Sequence, residues 1–373
     1  MKNKKISITK PRLPEFNSLM KSYRKIISTS MITNSFFVKE FEKRVEGFLG
    51  VKNAVAVSSC TSGLMLSMRS LRLTGQIIMP SFTFSATGHT AVWAGMEPVL
   101  VDVDEKTFNI DPYLIEEKIT EKTSSIVGVH LWGNPAKANV LEKIAKKYKL
   151  KLIFDSAQAF GSSYEKGMVG TKGTCEVFSF SPTKVVTCGE GGIVSTNDDE
   201  LAELIRDSRN YGIGKSYDCT GIGLNSRITE FNAALGVESF KIMKECIKKR
   251  KELFELYSEN LFSIKEISYP EILPGNKINY IYFPVIFNSS KDKNLRDEVY
   301  NELLKENIET RKYYNPALHQ QSEYMRMYPE YKKLKLPVTE FILKNCLTLP
   351  LYPSLETRDV ERICRIINKT IKN

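Results

Sequence analysis

The sequence predicts an α/β protein with a largely parallel sheet, followed by a smaller α+β region. Between residues 51 and 200, short apolar runs alternate with helix-like stretches, a pattern typical of parallel sheets. A long helical pattern then runs from about 228 to 262, and strand and helix patterns alternate again after Pro274 and Gly275. A chain of 373 residues is long enough for two domains. We expect a larger domain, with an N-terminal arm, over 1–260 and a smaller one over 261–373.

The individual elements follow from the same patterns. We predict strands over 54–57, 76–79, 99–101, 126–129, 151–154, 176–180 and 192–195, and helices over 61–72, 85–94 and 137–149. The pattern over residues 1–50 predicts an arm and one helix, with Phe41 and Val45 spaced as on one helix face. In the smaller domain we predict a strand over 280–287 and helices over 295–306 and 357–371. Because ligands bind at the carboxyl ends of strands in such sheets, those ends are where a site is expected.

Composition narrows the class of protein. Hydrophobic residues make up 42% and charged residues 26%, which excludes a disordered or collagen-like chain. The net charge of +11 suits an anionic partner. The positive charges are scattered, however, and no nucleic-acid-binding module is present, so we expect a small anionic ligand and no nucleic acid.

The cysteines and histidines predict neither a metal site nor a secreted protein. The seven cysteines include no C-x-x-C pair, and the three histidines lie far apart, so no metal is expected. A reducing compartment fits this cysteine usage. The N-terminus lacks the apolar segment of a signal peptide, and the strongest apolar run, 280–287, is too short to span a bilayer. We therefore expect a cytoplasmic protein with no membrane segment.

Three motifs at strand ends carry possible chemistry. Thr61 and Ser62 open the helix after the first strand, where backbone amides and the helix dipole favour a phosphate; a simple N-cap is the alternative. Asp155 ends a buried-looking strand, which is costly unless a cation pairs with it; a helix cap is again the alternative. Lys184 follows another such strand, and a lysine partly withdrawn from water can act as a nucleophile. Together with an aromatic residue, Phe84, these are the groups that a pyridoxal phosphate site requires.

Further motifs extend this pattern along nearly the whole chain. They include Ser59-Cys60-Thr61, Pro80-Ser81-Phe82-Thr83-Phe84, His130-Leu131-Trp132-Gly133, Asp155-Ser156-Ala157-Gln158, Ser179-Phe180 with Lys184, Gly189-Glu190-Gly191-Gly192, Gly223-Leu224-Asn225-Ser226-Arg227 and Leu349-Pro350-Leu351-Tyr352-Pro353. In order and spacing they resemble the DegT-type nucleotide-sugar aminotransferases, a branch of the fold type I pyridoxal phosphate enzymes. Cys60 departs from the glycine or alanine that is usual there, and Ser181 stands where many members have histidine or an aromatic residue.

The resemblance implies a role for each matching position around the cofactor. Lys184 would form the Schiff base, and Asp155 would pair with the pyridine nitrogen. Phe84 would stack on the ring, and Gln158 would lie near the ring hydroxyl. The groups that would hold the phosphate are Thr61, Ser62 and Ser179.

The resemblance also implies a homodimer whose sites are completed across the interface. Asn225 would reach the phosphate bound by the other subunit, with Arg227 near the substrate. Tyr314 and His319 fall in the region that lines the sugar pocket in the family, although the spacing between them is one residue longer than usual. The alternative for Asn225 is a helix cap within its own subunit.

The implied activity is the transfer of an amino group from an amino acid, with glutamate the expected donor, to a nucleotide-linked keto-deoxysugar. One alternative is a pyridoxal-dependent sugar dehydratase of the same family, but those members carry histidine where this chain has Lys184. Another is a cofactor-binding regulator without catalysis. The presence of Lys184, Asp155 and Gln158 favours the enzyme.

Overall fold

A seven-stranded sheet forms the centre of the larger part of the protein. The computed structural model describes residues 4–214, 216–219, 221–288 and 294–372. The strands are β1 (Asn53–Val57), β2 (Gln76–Pro80), β3 (Glu97–Val101), β4 (Thr123–Val129), β5 (Lys151–Asp155), β6 (Cys175–Ser179) and β7 (Gly192–Thr196). Their order is β1-β7-β6-β5-β4-β2-β3, and β7 runs antiparallel to both of its neighbours while the other pairs are parallel. The predicted fold class and all seven predicted strands are confirmed.

Both faces of this sheet are buried under helices. Alternate residues of β1 belong to different cores, with Ala54 and Ala56 in one and Val55 and Val57 in the other. The helices that precede the smaller part along the chain are α1 (Phe16–Thr29), α2 (Phe36–Leu49), α3 (Cys60–Ser70), α4 (Ser85–Trp93), α5 (Ala138–Lys147), α6 (Asp199–Ser208), α7 (Glu230–Lys241) and α8 (Met243–Leu261). Two details differ from the prediction. Residues 1–50 contain two helices rather than one, and the helical pattern after 228 is divided at Ile242 into α7 and α8.

The smaller part is built on an antiparallel sheet of three strands. These are β8 (Ile267–Ser268), β9 (Phe283–Phe287) and β10 (Cys346–Leu349), in the order β10-β9-β8. The helices are α9 (Leu295–Lys305), α10 (Ser322–Met327), α11 (Pro337–Asn345) and α12 (Thr357–Lys372). The core of this part also takes in Ile6, Leu253 and Tyr257, so it draws on residues from both sides of the expected boundary at 260, which stays a prediction. The strand predicted from 280 begins only at Phe283.

None of the helices in the described part of the chain combines the length and apolar character that a bilayer crossing requires.

Candidate active site

A cavity of about 360 Å³ lies at the carboxyl edge of the central sheet. The ends of β5 and β6 and the starts of α3 and α4 meet there, as the parallel topology dictates. Most of the predicted site residues line it: Thr61, Phe84, Asp155, Gln158, Ser179, Lys184 and Tyr314. Four predicted residues are not among those lining it, namely Ser62, Asn225, Arg227 and His319.

The start of α3 supplies one end of the cavity. Ser59 caps the helix by accepting a hydrogen bond from the Ser62 amide. Among the described residues, no group accepts from the amides of Cys60 and Thr61, so both are free to bind an anion where the helix dipole favours one. Gly192 packs directly against this turn, because a Cβ there would lie 2.5 Å from the Ser59 carbonyl carbon. Only glycine allows β7 to approach so closely.

Ser62 has a different surrounding from the one expected. Its hydroxyl completes a capping box with Ser59 and lies 3.1 Å from the Ser58 hydroxyl and 2.7 Å from the Ser226 hydroxyl. A capping box fixes the entry into a helix. The Ser62 side chain therefore takes part in the helix cap with Ser59, while Thr61 lines the cavity.

Asp155 is held at the end of β5 with both carboxylate oxygens engaged. It is 6% exposed. Oδ2 accepts from the Thr87 hydroxyl at 2.7 Å, and Oδ1 accepts from the Ala157 amide at 3.1 Å. A turn, not a helix, follows Asp155, so the alternative that it caps a helix is wrong.

Gln158 is oriented by the backbone of Trp132. The Trp132 amide donates to Oε1 of Gln158 at 2.6 Å, which directs the Nε2 group towards the Tyr314 hydroxyl, to which it donates. Trp132 holds a left-handed backbone conformation with φ of 55°, and this aims its amide at Gln158. The cavity therefore receives an N–H donor from Gln158, because the oxygen is already used.

Lys184 lies in a turn between β6 and β7, partly buried against the cavity. Burial lowers the pKa of its amine, because removal from water disfavours the ammonium form, while the charges of Cys60, Asp155 and Glu190 oppose the shift. The loop is closed by bonds from the Cys188 amide to the Phe180 carbonyl and from the Phe180 amide to the Gly191 carbonyl. A lysine of this kind carries a neutral, nucleophilic amine at lower pH than an exposed one.

Aromatic side chains form one wall of the cavity. The rings of Phe84 and Tyr314 lie 6.0 Å apart, and Tyr313 stacks on Tyr314 at 5.1 Å. Tyr282 and Tyr313, which sequence reasoning missed, line the same wall. Burial raises the pKa of Tyr313 to about 12, so its hydroxyl remains protonated. Tyr282 lay inside a segment predicted as strand, which gave no signal for a binding role.

His319 is not brought to the cavity. It is 2% exposed, its Nδ1 lies 2.7 Å from the Ser81 hydroxyl, and its amide donates to the same oxygen. Burial lowers the pKa of the imidazole. In this position it anchors the segment after β2 and does not face the cavity as expected.

Asn225 and Arg227 lie on the surface in a loop that precedes α7. Asn225 is exposed and accepts two hydrogen bonds from the Arg227 guanidinium, which also donates to Asn210. The residue that caps α7 is Thr229, whose hydroxyl accepts from the Asn232 amide at 3.1 Å. The alternative that Asn225 caps this helix is therefore wrong.

Solved structures of similar proteins share this architecture. The structure of DesI in the presence of its TDP-sugar product has a TM-score of 0.91 and 33% identity, and the match covers 98% of this chain and 92% of that one. NtdA from Bacillus subtilis with bound cofactor PMP has a TM-score of 0.87 and 28% identity, covering 96% and 82%. The fold is that of the aminotransferases that use pyridoxal phosphate.

The sequence identifies the family within that class. The model of the DegT/DnrJ/EryC1/StrS aminotransferase family matches residues 16–368. A dTDP-4-amino-4,6-dideoxy-D-glucose transaminase of Escherichia coli is 33% identical over 98% of this chain and 99% of its own. A UDP-2-acetamido-2-deoxy-3-oxo-D-glucuronate aminotransferase of Pseudomonas aeruginosa is 32% identical over 88% and 89%. The chain belongs to the DegT/DnrJ/EryC1/StrS aminotransferase family, and the predicted family is confirmed.

Proposed function

We propose that this protein is a pyridoxal phosphate-dependent aminotransferase that moves an amino group from glutamate to a nucleotide-linked keto-deoxysugar. The observation that carries the proposal is that Lys184 and Asp155 line the same cavity as the free amides of α3. The proposal agrees with the activities of the relatives, which act on dTDP- and UDP-linked sugars.

The residues of the cavity fit pyridoxal phosphate. The amides of Cys60 and Thr61, the helix dipole and the hydroxyls of Thr61 and Ser179 suit the phosphate. Ser62 supports this turn through its capping box with Ser59. The donor set is that of an anion site, since it offers N–H and O–H groups at a helix start.

Other residues of the same cavity suit the ring. The Asp155 carboxylate is a partner for a protonated ring nitrogen, because it is buried and its remaining acceptor capacity needs a cation. The Nε2 group of Gln158 can donate to the ring hydroxyl, and Phe84 offers an aromatic face. When bound, pyridoxal phosphate supplies an electron-withdrawing ring that takes up the electron pair released as the Cα–H bond of the amino acid breaks.

Lys184 has two tasks in this proposal. Its Nζ amine would hold the cofactor covalently, and the same Nζ, when free, would receive the proton that leaves the α-carbon of the amino-acid donor. The lowered pKa of Lys184 suits a base that must be neutral when it accepts this proton. The aromatic wall formed by Tyr282, Tyr313 and Tyr314 limits the access of water from that side.

The sugar nucleotide is proposed to enter near the surface loop that carries Asn225 and Arg227. We propose that these residues act in the site of a second subunit, because neither lines the cavity of its own subunit. Arg227 would offer charge to an anionic substrate. The +11 net charge is compatible with such a substrate.

Two measurements test the proposal. Borohydride reduction of the protein with bound pyridoxal phosphate, followed by peptide mapping, is expected to place the pyridoxyl label on Lys184. The Lys184→Ala variant is expected to fold and to lose turnover by orders of magnitude. A panel of nucleotide ketosugars with glutamate, monitored by mass spectrometry, is expected to yield an amino sugar from at least one member. A label on another lysine contradicts the site. A loaded protein that turns over no member favours the regulator, and loss of oxygen without gain of nitrogen favours the dehydratase.

A further inference from the structure

The buried carboxylate of Asp155 is connected to a short chain of hydroxyl groups that the motifs did not predict. Thr87 lies in the first turn of α4 and is fully buried. Its hydroxyl lies 2.7 Å from Oδ2 of Asp155 and 2.8 Å from the hydroxyl of Thr83. Thr83, 1% exposed, lies just before the helix and lines the cavity.

The chemistry of the end group fixes the direction of these hydrogen bonds. An ionised carboxylate only accepts, so the single hydroxyl proton of Thr87 must point to Asp155. The oxygen of Thr87 is then available to accept, and Thr83 donates to it. The order of donation is therefore from Thr83 to Thr87 to Asp155.

This chain of hydroxyl groups donates to Oδ2 of Asp155, while the Ala157 amide donates to Oδ1 at 3.1 Å. The Cys60 thiol lies 3.9 Å from Oδ1, which is long and weak for a hydrogen bond. Among the described residues, Thr87 is thus the close side-chain donor to Asp155. Its 2.7 Å separation is typical of a hydrogen bond to a charged acceptor.

We infer that Thr87, supported by Thr83, is a positioning residue that fixes the Asp155 carboxylate and stabilises its ionised form opposite the ring nitrogen of the cofactor. The inference rests on the proposed function. A hydrogen bond donated to the charged form of a carboxylate favours that form. Without Thr87, the buried carboxylate loses a donor, and its ability to keep the ring nitrogen protonated falls.

The test compares Thr87→Val, which keeps the β-branched shape without the hydroxyl, with Thr87→Ser, which keeps the hydroxyl. The matched control is Thr90→Val in the same helix, because the fully buried Thr90 hydroxyl donates to the Thr87 carbonyl at 2.9 Å rather than to Asp155. Two readouts are taken: the dissociation constant of the protein for pyridoxal phosphate, and the nitrogen-15 chemical shift of the bound, ring-labelled cofactor.

We expect Thr87→Val to weaken cofactor binding about tenfold and to move the nitrogen-15 shift towards that of an unprotonated ring. Thr87→Ser should restore both, and Thr90→Val should leave the nitrogen-15 shift at the wild-type value. Thr83→Val removes only the supporting donor and should move the nitrogen-15 shift in the same direction by a smaller amount. This variant replaces Thr87→Val as the test if Thr87→Val does not fold. A wild-type nitrogen-15 shift in Thr87→Val, or in Thr83→Val when it is the only folded variant, overturns the inference. If the wild-type protein itself does not bind pyridoxal phosphate, the proposed function fails, which is a separate result.

Discussion

Lys184 and Lys147 lie in different surroundings. Lys184 lies against a cavity that also contains Asp155, and burial lowers the pKa of its amine. Lys147, on the surface of α5, shows the opposite behaviour, because its hydrogen bond to Glu116 raises the pKa of its amine. The lowered pKa of Lys184 is therefore a property of the folded chain.

This contrast predicts the order in which the two amines react. In protein freed of cofactor, the fraction of neutral Lys184 should rise at lower pH than that of Lys147, because a lowered pKa means that the proton leaves earlier as the pH increases. Competitive acetylation across a pH series, with each peptide quantified by mass spectrometry, gives the midpoint for each lysine. A midpoint for Lys184 at or above that of Lys147 would contradict the assignment.

Asp155 offers a second test at the residue scale. Asp155→Asn keeps the shape but cannot stabilise a protonated ring, so the deprotonation step should slow by at least ~10-fold while the fold persists. The matched control is Asp102→Asn. Asp102 is also a buried acid next to a strand end, but its carboxylate caps α11 by accepting from the amides of Val338 and Thr339.

We expect Asp102→Asn to lower the melting temperature and to leave the deprotonation rate close to the wild-type value. If Asp155→Asn transaminates at the normal rate, the carboxylate is structural and its proposed role is wrong.

At the scale of elements, α2 depends on a residue far away in the chain. Its own N-cap residue, Ser35, makes no side-chain capping bond. The carboxylate of Glu230, the first residue of α7, accepts instead from the amides of Ser35 and Phe37 at 2.7 Å each, and from that of Val38 at 3.1 Å. A buried carboxylate at a helix N-terminus satisfies free amides and complements the helix dipole.

Glu230→Gln should therefore destabilise the protein by about 1.5–3 kcal/mol, because the amide is uncharged and has one oxygen with which to accept. Thermal or urea unfolding measures the loss. The control is Glu40→Gln in α2, which breaks a partly exposed ion pair with Arg44 and should cost only about 0.3–0.5 kcal/mol. Equal losses in the two variants would show that Glu230 is not the cap we describe.

At the scale of the whole molecule, the surface beside the Asn225 loop carries exposed apolar side chains. Ile32 and Phe36 are 57% and 50% exposed, and Ile222 is 72% exposed. The Ile32 carbonyl accepts from the Glu230 amide at 2.9 Å, which places these apolar residues close to the loop. Exposed apolar groups of this extent favour a contact with another protein, and a two-fold pair would present the same surface from both chains.

This arrangement predicts complementation between two inactive variants. Lys184→Ala subunits mixed with subunits carrying Asn225→Ala and Arg227→Ala should regain partial activity, because one site of each heterodimer then contains only intact residues. Each variant mixed with itself is the control and should stay inactive. If all the residues of a site come from one chain, both sites of the heterodimer keep a defect, and an inactive mixture would refute the shared site.

The fold was largely predictable because its signals are local. Apolar runs of strand length and the helical patterns between them were enough to predict the seven strands around Asp155 and Lys184. The first helix was missed because residues 16–29 lack a strong local start signal, and Glu15 makes no side-chain cap. The break between α7 and α8 was missed because the helical pattern continues through Ile242.

The sequence by itself determined which chemical groups meet at the carboxyl edge of the sheet. Strand ends and turn motifs are encoded over a few residues, and parallel topology brings them together. The tertiary structure decided how these groups are oriented and which ones face the cavity. The Ser62 hydroxyl forms a capping box with Ser59, and His319 bonds to Ser81 and does not line the cavity. The Thr87 hydroxyl donates to Asp155, which lies 68 residues away in the sequence. Such contacts depend on side-chain directions between distant segments, and only the packed chain fixes those directions.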